Sequence, residues 1–317
     1  MQKPLIGISS CLLGNEVRYD GGHKQDKYLI NILGQFVDYI PVCPEVECGL
    51  SIPREAMRLV DVDGKGDIRL LTQKTEKDIT PRMKKWTGPV LRSLSEKNLC
   101  GFIFKSKSPS SGMERVKVYQ KNGYSKKDGV GIFAKAFMDR FPDLPVEEEG
   151  RLHDDNLREN FIERIFVFKR WNELINNKKT IGGLVEFHTI HKYLLMSHSP
   201  KGLRELGKIV ADAKNFSIEE LYSKYISKLS GCIKLIATKK KNTNVLQHIT
   251  GYFKKELDKD EKQELNERIM EYHDGLVPLI VPVTLLNHYV RKQKPGYLLD
   301  QVYLNPHPLE LKLRNHA

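Results

Sequence analysis

Features typical of secreted and membrane proteins are scarce in this sequence. No apolar run approaches the 18 or more residues of a membrane span, and the opening MQKPLIGISSC lacks the layout of a secretory signal. Five cysteines among 317 residues are too few, and odd in number, for a disulfide scaffold. We therefore expect a cytoplasmic protein without a membrane partner, whose cysteines are thiols or metal ligands.

The charge balance is basic and uneven along the chain. The sequence holds 52 basic and 40 acidic residues, a net charge of +12. Residues 1–150 hold 24 and 20 of these, a net of +4, and residues 151–317 hold 28 and 20, a net of +8. Such a chain is a candidate for binding polyanions such as nucleic acid, and a solvated basic surface is the alternative. Nothing in the sequence indicates an oligomeric state.

Short apolar runs alternate with helical segments in the first half, which predicts a Rossmann-like α/β domain with a mostly parallel sheet. Strands are predicted over residues 5–9, 36–42 and 101–105, with a hairpin over 57–72 and helices over 80–98, capped by Thr80, and 131–140. Beyond them, apolar residues at helical spacing predict helices over 157–176, 185–196, 203–213, 217–237 and 256–274. The sequence therefore predicts an α/β domain over residues 1–150 and an all-α domain over 151–317, with the glutamates at 147–149 near the boundary.

Polar loops follow three of the predicted strands. Parallel strands bring these loops to one sheet edge, where ligands of α/β folds bind. The loops contain three thiols, two carboxylates, a lysine and several hydroxyls, among them Cys11, Cys43, Glu45, Glu47, Cys48, Lys107, Ser108 and Ser110.

Three cysteines meeting in a cytosolic protein suggest a soft metal. Because the loops hold no fourth cysteine and no histidine, a closed zinc site is disfavoured, whereas a [4Fe–4S] cluster on three thiolates would leave one iron open. Small buried thiols are the alternative. Cys100 begins its strand and Cys232 lies in the helical half, so we interpret both as core residues.

Several short motifs together resemble the thiouracil desulfurase family. Over residues 1–148 these are SCLLG at 10–14, VRYDG at 17–21, CPE at 43–45, GLSIPR at 49–54 and SPSSG at 108–112. The second half resembles a helical companion domain through RENF at 158–161, GYFK at 251–254, VPLIVPVTLLNHY at 277–289 and NPHP at 305–308. The fusion of the two resembles bacterial tRNA 4-thiouridine desulfidases.

That resemblance implies a [4Fe–4S] cluster and a non-redox desulfuration. In the implied reaction the S4 atom of 4-thiouridine binds the open iron and water attacks C4. The implied ligands are Cys11 and Cys43, with Cys48 as the third, because single-domain relatives tend to have a cysteine where this chain has Ser111. Glu45, two residues beyond Cys43, is the predicted general acid/base.

The remaining predicted roles are less specific. Ser108, or as second choice Ser110, would contact the reacting base or water. Arg18, Tyr19, Asp20 and Lys105 are candidates for the pocket wall, and Arg54 for a phosphate contact. In the helical half the candidate RNA-binding residues are Lys239, Lys240, Lys241, Lys254 and Lys255, near Tyr252 and Phe253.

Two other functions remain open at this point. One is desulfuration of free thiouracil or thiolated nucleosides, with the helical domain serving oligomerisation. The other is an iron–sulfur module that binds RNA or senses iron without turnover.

Overall fold

A computed structural model describes residues 2–120 and 123–316 of the chain. Its contacts divide the chain into two units, Met1–His153 and Asp154–Ala317. The first unit combines strands and helices, and the second is helical, so the predicted fold class is confirmed. Across the described residues, no helix has the length and apolar character needed to cross a membrane.

The first unit contains two sheets. Its strands are β1 (Leu5–Ser9), β2 (Asp38–Val42), β3 (Met57–Asp61), β4 (Ile68–Thr72), β5 (Gly101–Phe104), β6 (Val116–Gln120), β7 (Ser125–Gly129) and β8 (Val146–Glu148). Its helices are α1 (Lys27–Asn31), α2 (Pro44–Glu47), α3 (Thr80–Ser95) and α4 (Ile132–Arg140).

The first sheet is parallel, in the order β2-β1-β5-β8. Ile6 of β1 lies opposite Tyr39 of β2 and Gly101 of β5, so the three strands predicted from the sequence are neighbours. Their carboxyl ends therefore meet at one edge, as the sequence predicted. The fourth strand, β8, was not predicted.

A second sheet, in the order β4-β3-β6-β7, is mixed. The predicted hairpin is confirmed as antiparallel β3 and β4, with Leu59 opposite Leu70. Strand β6 runs parallel to β3, and β7 pairs antiparallel with β6. The sequence analysis missed both β6 and β7. Strand β7, SKKDG, is mostly exposed and carries no apolar alternation, whereas β6, VKVYQ, alternates only over its first three residues.

The long helix α3 differs from its prediction at both ends. It stops at Ser95 rather than near residue 98, and Asn98 has a left-handed φ of 50°. Thr80 is the first helical residue instead of the cap. Its hydroxyl oxygen accepts a 2.7 Å hydrogen bond from the backbone N–H of Leu70, so it ties the helix to β4.

An aromatic core holds the parallel sheet against α3 and α4. Phe102 and Phe104 of β5 stack at 4.4 Å between centroids, and Phe133 and Phe137 of α4 pack against them. Gly7 of β1 makes room for this cluster, because a Cβ there would lie 2.2 Å from the Phe102 ring. The core thus fixes the strands whose ends carry the polar loops.

Helices account for the regular structure of the second unit. They are α5 (Asp155–Lys178), α6 (Ile181–His198), α7 (Pro200–Ala211), α8 (Ile218–Ile233), α9 (Lys239–Thr250), α10 (Lys259–His273), α11 (Ile280–Gln293) and α12 (Gly296–Leu299). The helices predicted from apolar spacing correspond to α5 to α8 and α10. The sequence analysis missed α9, α11 and the short α12.

A buried ionic cluster attaches the last residues of the chain to α5. The Arg314 guanidinium donates to Glu163 at 3.0 Å and lies 3.7 Å from Glu159. Burial opposes the charge of Glu163, but the neighbouring His198, whose Nε2 lies 3.3 Å away, and the charge of Arg314 lower its pKa to about 2. Burial and the neighbouring Glu163 charge raise the pKa of Glu159 to about 8. Part of the RENF motif thus has a structural role.

Candidate active site

A cavity of about 440 Å³ lies at the carboxyl edge of the parallel sheet. The loops after β1, β2 and β5 contribute to it, with further residues from the segment around residue 18 and from β3. The predicted site residues that line it are Cys11, Arg18, Tyr19, Cys43, Glu45, Lys105 and Ser108; Arg54 and Ser111 line it as well. Asp20, Cys48 and Ser110 are not among its lining residues.

Two thiols, Cys11 and Cys43, face this cavity. Burial, followed by the negative charge of Glu45, raises the pKa of Cys11 to about 11 and that of Cys43 to about 12. Lys105 and Arg18 partly oppose the effect on Cys11. Both thiols are therefore neutral near pH 7, and a metal that bound them would have to displace their protons.

Cys48 occupies a different environment. It follows α2, and its thiol donates to the Glu45 carbonyl at 3.2 Å. Its side chain packs with Leu59, Met83 and other apolar residues beside the second sheet. Burial raises its pKa, against the opposing charge of Arg82. The structure thus brings Cys11 and Cys43 to the cavity and leaves Cys48 beside it, while Ser111 reaches the cavity wall.

Glu45 is held by contacts to both carboxylate oxygens. Oε1 accepts a 2.5 Å hydrogen bond from Ser110, and Oε2 accepts one from the Cys43 thiol at 3.5 Å. The Arg54 guanidinium lies 4.0 Å from Oε2 and donates to the Val17 carbonyl at 2.9 Å. The Arg54 side chain is thus largely buried beside Glu45 at the cavity wall, and its contact with phosphate stays a prediction.

A chain of hydroxyls links Glu45 to the cavity wall. Ser110, which is fully buried, lies 3.0 Å from the Ser108 hydroxyl. Ser108 Oγ also accepts the backbone N–H groups of Ser110 and Ser111, at 3.3 and 3.1 Å. Ser108 is the member that lines the cavity, so the two serines have distinct positions that the sequence could not separate.

The loop that carries Ser108, Ser110 and Ser111 is held in place by close packing against the start of α4. A Cβ at Gly131 would lie 2.5 Å from the Ser110 carbonyl, so the glycine that precedes α4 allows the two segments to touch. The N–H groups of Phe133 and Ala134 donate to that carbonyl at 2.9 and 3.1 Å. The first turn of α4 therefore positions Ser110.

Glu149, which the sequence analysis missed, contacts the cavity residue Lys105. It follows β8, forms an ion pair with Lys105 and accepts the backbone N–H of Ser106 at 2.7 Å. The sequence interpretation placed residues 147–149 near a domain boundary. The first unit ends at His153, so these residues do lie near its end, and β8 is also the fourth strand of the parallel sheet, whose end adds a further loop to the same edge. The strand β8 consists of only three residues, VEE, and a segment that short cannot be recognised as a strand from the sequence.

Of the other predicted wall residues, Arg18 and Tyr19 are at the cavity and Asp20 points elsewhere. The Arg18 guanidinium lies over the Tyr19 ring, 5.5 Å from its centroid, and 3.6 Å from Asp20. Asp20 accepts from the Gly22 N–H at 3.1 Å, which makes it a turn residue that orients Arg18.

The cavity lining offers two thiols and several basic side chains to a metal group. Within residues 2–120 and 123–316, no three histidine, cysteine or carboxylate side chains are grouped to hold one metal ion. A cubane cluster carries its irons at separate corners, so its thiolate ligands need not converge on one point. Five basic side chains and one acidic side chain line the cavity, which favours an anionic group such as a thiolate-bound cluster.

The predicted RNA-binding lysines fall into two groups on the helical unit. Lys239, Lys240 and Lys241 form the first turn of α9, where the helix dipole is already positive. Lys239 and Lys240 are exposed, whereas the Lys241 ammonium donates to the carbonyls of His198 and Ile236 at 2.7 and 2.9 Å. Lys254 and Lys255 are exposed beyond α9.

Both halves of the chain match known protein families. Residues 6–149 match the 2-thiouracil desulfurase family, and residues 192–308 match a family described as a protein of unknown function, DUF1722. The uncharacterized protein YbgA of Escherichia coli K12 is 30% identical over 153 residues, which are 48% of this chain and 90% of YbgA.

Two further similar proteins match a smaller or comparable share of the chain. The uncharacterized protein YbbK of Bacillus subtilis 168 is 30% identical over 112 residues, covering 34% of this chain and 73% of YbbK. A solved structure of the [4Fe-4S]-dependent thiouracil desulfidase TudS is 27% identical and covers 48% of this chain and 94% of its own, with a TM-score of 0.38.

Proposed function

Because the chain belongs to the 2-thiouracil desulfurase family, we propose that it desulfurates 4-thiouridine in tRNA to uridine with the help of a [4Fe–4S] cluster. The observation that carries this proposal is the cavity in which two thiols, a carboxylate and a serine hydroxyl meet. Its volume of about 440 Å³ lies in the range that accommodates small organic ligands. The basic helical unit supports tRNA as the carrier of the base.

The proposed reaction is a hydrolysis and needs no reductant. Water adds its oxygen to C4, the C4–S bond breaks, and sulfide leaves as the carbonyl forms. Cys11, Cys43 and Cys48 would hold the cluster, which would supply a thiophilic Lewis-acidic iron for the sulfur of the base. Cys48 would have to turn its thiol away from the Glu45 carbonyl to take part.

Glu45 is the proposed proton carrier of this reaction. Its carboxylate lines the cavity, so it can accept a proton from the attacking water. When Glu45 is ionised, Ser110 donates its one proton to it, and Ser108 must in turn donate to Ser110. When Glu45 is protonated, these directions can reverse and the Ser108 hydroxyl becomes free to donate into the cavity. The serine chain thus couples the state of Glu45 to a donor at the substrate.

Ser110→Ala is expected to lower kcat by about 10- to 100-fold, the contribution of a hydrogen bond to a charged group. KM should stay near the wild-type value, because Ser110 lies behind the cavity wall. Ser108→Ala should change both constants, since Ser108 faces the substrate. Steady-state kinetics on the cluster-loaded protein measure both constants. A wild-type kcat in Ser110→Ala would exclude this positioning role.

RNA binding is assigned to the helical unit. The exposed Lys239 and Lys240 lie at the positive end of α9, so charge and dipole act together on an anion there. Lys241 is hydrogen-bonded to two carbonyls and so stabilises the start of that helix. Its ammonium group adds positive charge there, but it extends less far into solvent than those of Lys239 and Lys240. Contacts of this kind with phosphate are independent of base sequence.

The deciding experiment compares two substrates on anaerobically reconstituted protein. We expect kcat/KM for tRNA that contains 4-thiouridine to exceed that for free thiouracil by about tenfold or more, because binding energy remote from the base aids the reaction. Nucleoside analysis measures the loss of 4-thiouridine, and ¹⁸O-labelled water should place its label in the uridine product.

The main competing function is desulfuration of free thiouracil, which the description of the family favours. It predicts the opposite ranking, with rapid turnover of the free base and negligible turnover of tRNA. Turnover of neither substrate by protein with a full cluster would instead favour the non-enzymatic RNA-binding or sensing module.

A further inference from the structure

Aromatic rings and a lysine meet on the helical unit in an arrangement we call the tyrosine platform: Tyr193, Tyr252, Tyr297 and Lys192. The rings of Tyr252 and Tyr297 stack with centroids 5.7 Å apart and planes within 11°. Tyr193 meets the Tyr297 ring edge-on, at 6.3 Å and 75°. Three helical segments, α6, the turn after α9 and α12, supply these residues.

The tyrosine platform has one buried ring, Tyr193, and one exposed ring, Tyr252. Tyr193 is buried, and the Lys192 ammonium lies 5.5 Å and 5.8 Å from the Tyr193 and Tyr297 ring centroids. Tyr252, in contrast, is 41% exposed, whereas the neighbouring Phe253 is 1% exposed. Of the two aromatic residues in the GYFK motif, Phe253 therefore belongs to the core and Tyr252 to the surface.

Two free cations follow the exposed ring. Lys254 and Lys255 come directly after Phe253 and are exposed. None of the ion pairs found across residues 2–120 and 123–316 involves Lys192, Lys254 or Lys255. A flat, supported aromatic ring beside unpaired ammonium groups is the combination by which proteins hold single-stranded nucleic acid.

We propose that Tyr252 stacks on an unpaired base of the RNA while Lys254 and Lys255 contact phosphates of the same strand. This inference rests on the proposed function, because it specifies how the helical unit would hold tRNA. A base stacks on tyrosine whatever its identity, whereas a protein partner would need a patterned apolar surface around the ring. The net charge of +8 on residues 151–317 favours the polyanion.

Salt-dependent binding of unmodified tRNA separates stacking from charge. Tyr252→Ala, and Tyr252→Leu as a second variant, should weaken binding about 5- to 100-fold and leave the slope of log Kd against log salt unchanged. Lys254→Ala and Lys255→Ala should each flatten that slope by about one unit. Tyr252→Phe should bind as wild type.

Phe216→Ala is the matched control. Phe216 also carries a lysine over its ring, with Lys224 at 3.9 Å, but it is in none of the stacked ring pairs of the described residues. Its removal should leave tRNA affinity unchanged. A uridine oligonucleotide should compete with tRNA more weakly for Tyr252→Ala than for wild type, whereas duplex RNA should compete equally for both.

The possible outcomes separate this inference from the proposed function. Wild-type affinity in folded Tyr252→Ala, or a loss accompanied by a flatter salt slope, overturns the platform alone, provided that the wild type binds and desulfurates tRNA. Failure of the wild type to bind tRNA overturns the assignment of tRNA as partner and the platform with it.

Discussion

Glu45→Gln is expected to reduce turnover by about 10²- to 10⁴-fold, the usual contribution of a general acid/base. Glutamine keeps the size of the side chain and an oxygen that can accept the Ser110 hydrogen bond, but it cannot carry the proton of the attacking water. The iron content should therefore equal that of the wild type. Single-turnover rates under anaerobic conditions, with iron and sulfide assayed on the same sample, measure the effect.

Glu47→Gln provides the control for this substitution. Glu47 lies in the same helix, but its Oε1 accepts the backbone N–H of Cys43 at 2.7 Å, and it does not line the cavity. The amide oxygen of glutamine can replace that acceptor, so the rate should change by no more than a few fold. If Glu45→Gln instead turns over at the wild-type rate, Glu45 is not the proton carrier.

Loss of Cys11 or Cys43 is expected to abolish both the cluster and turnover. Cluster-loaded wild type should contain about four irons and four sulfides per chain, and Cys11→Ala or Cys43→Ala should reduce both to background. Cys100→Ala and Cys232→Ala, which remove buried thiols remote from the cavity lining, should keep full iron. Iron assay and visible absorbance after anaerobic reconstitution measure these outcomes.

The third ligand needs a separate design, because Cys48 lies beside the cavity and Ser111 lines it. Cys48→Ser should lose the cluster. The double substitution Cys48→Ser with Ser111→Cys moves the thiol to the cavity wall and should restore iron binding. Full iron in Cys48→Ser alone would remove Cys48 from the ligand set.

The sequence allowed much of the first unit to be predicted because its signals are local. Apolar runs that end in polar residues predicted β1, β2 and β5, and the parallel arrangement then implied that their loops meet. That reasoning needs only the strand ends, so it succeeded for Cys11 and Cys43. It carries no information on side-chain direction, and this is why it could not distinguish Cys48 from the thiols that line the cavity.

Other features depend on contacts between residues far apart in the chain. Glu149 reaches Lys105 across 44 positions, and Ser110 reaches Glu45 across 65. Neither pairing leaves a periodic pattern in the sequence. Similarly, β7 is a strand because it pairs with β6 at a sheet edge, and its exposed lysines give no apolar alternation.

The ion pair between Glu149 and Lys105, here called the clamp, limits how short a fragment that contains the first unit can be made. A stop after residue 150 would leave the clamp one residue from a free, charged carboxyl terminus. It would also delete Arg151, which bonds Glu147 at 2.6 Å and lies 3.2 Å from Glu114. His153, 3.3 Å from Asp26, would be lost as well. A separately expressed fragment should therefore extend beyond His153, since Arg151 and His153 attach the segment after β8 to the rest of the first unit.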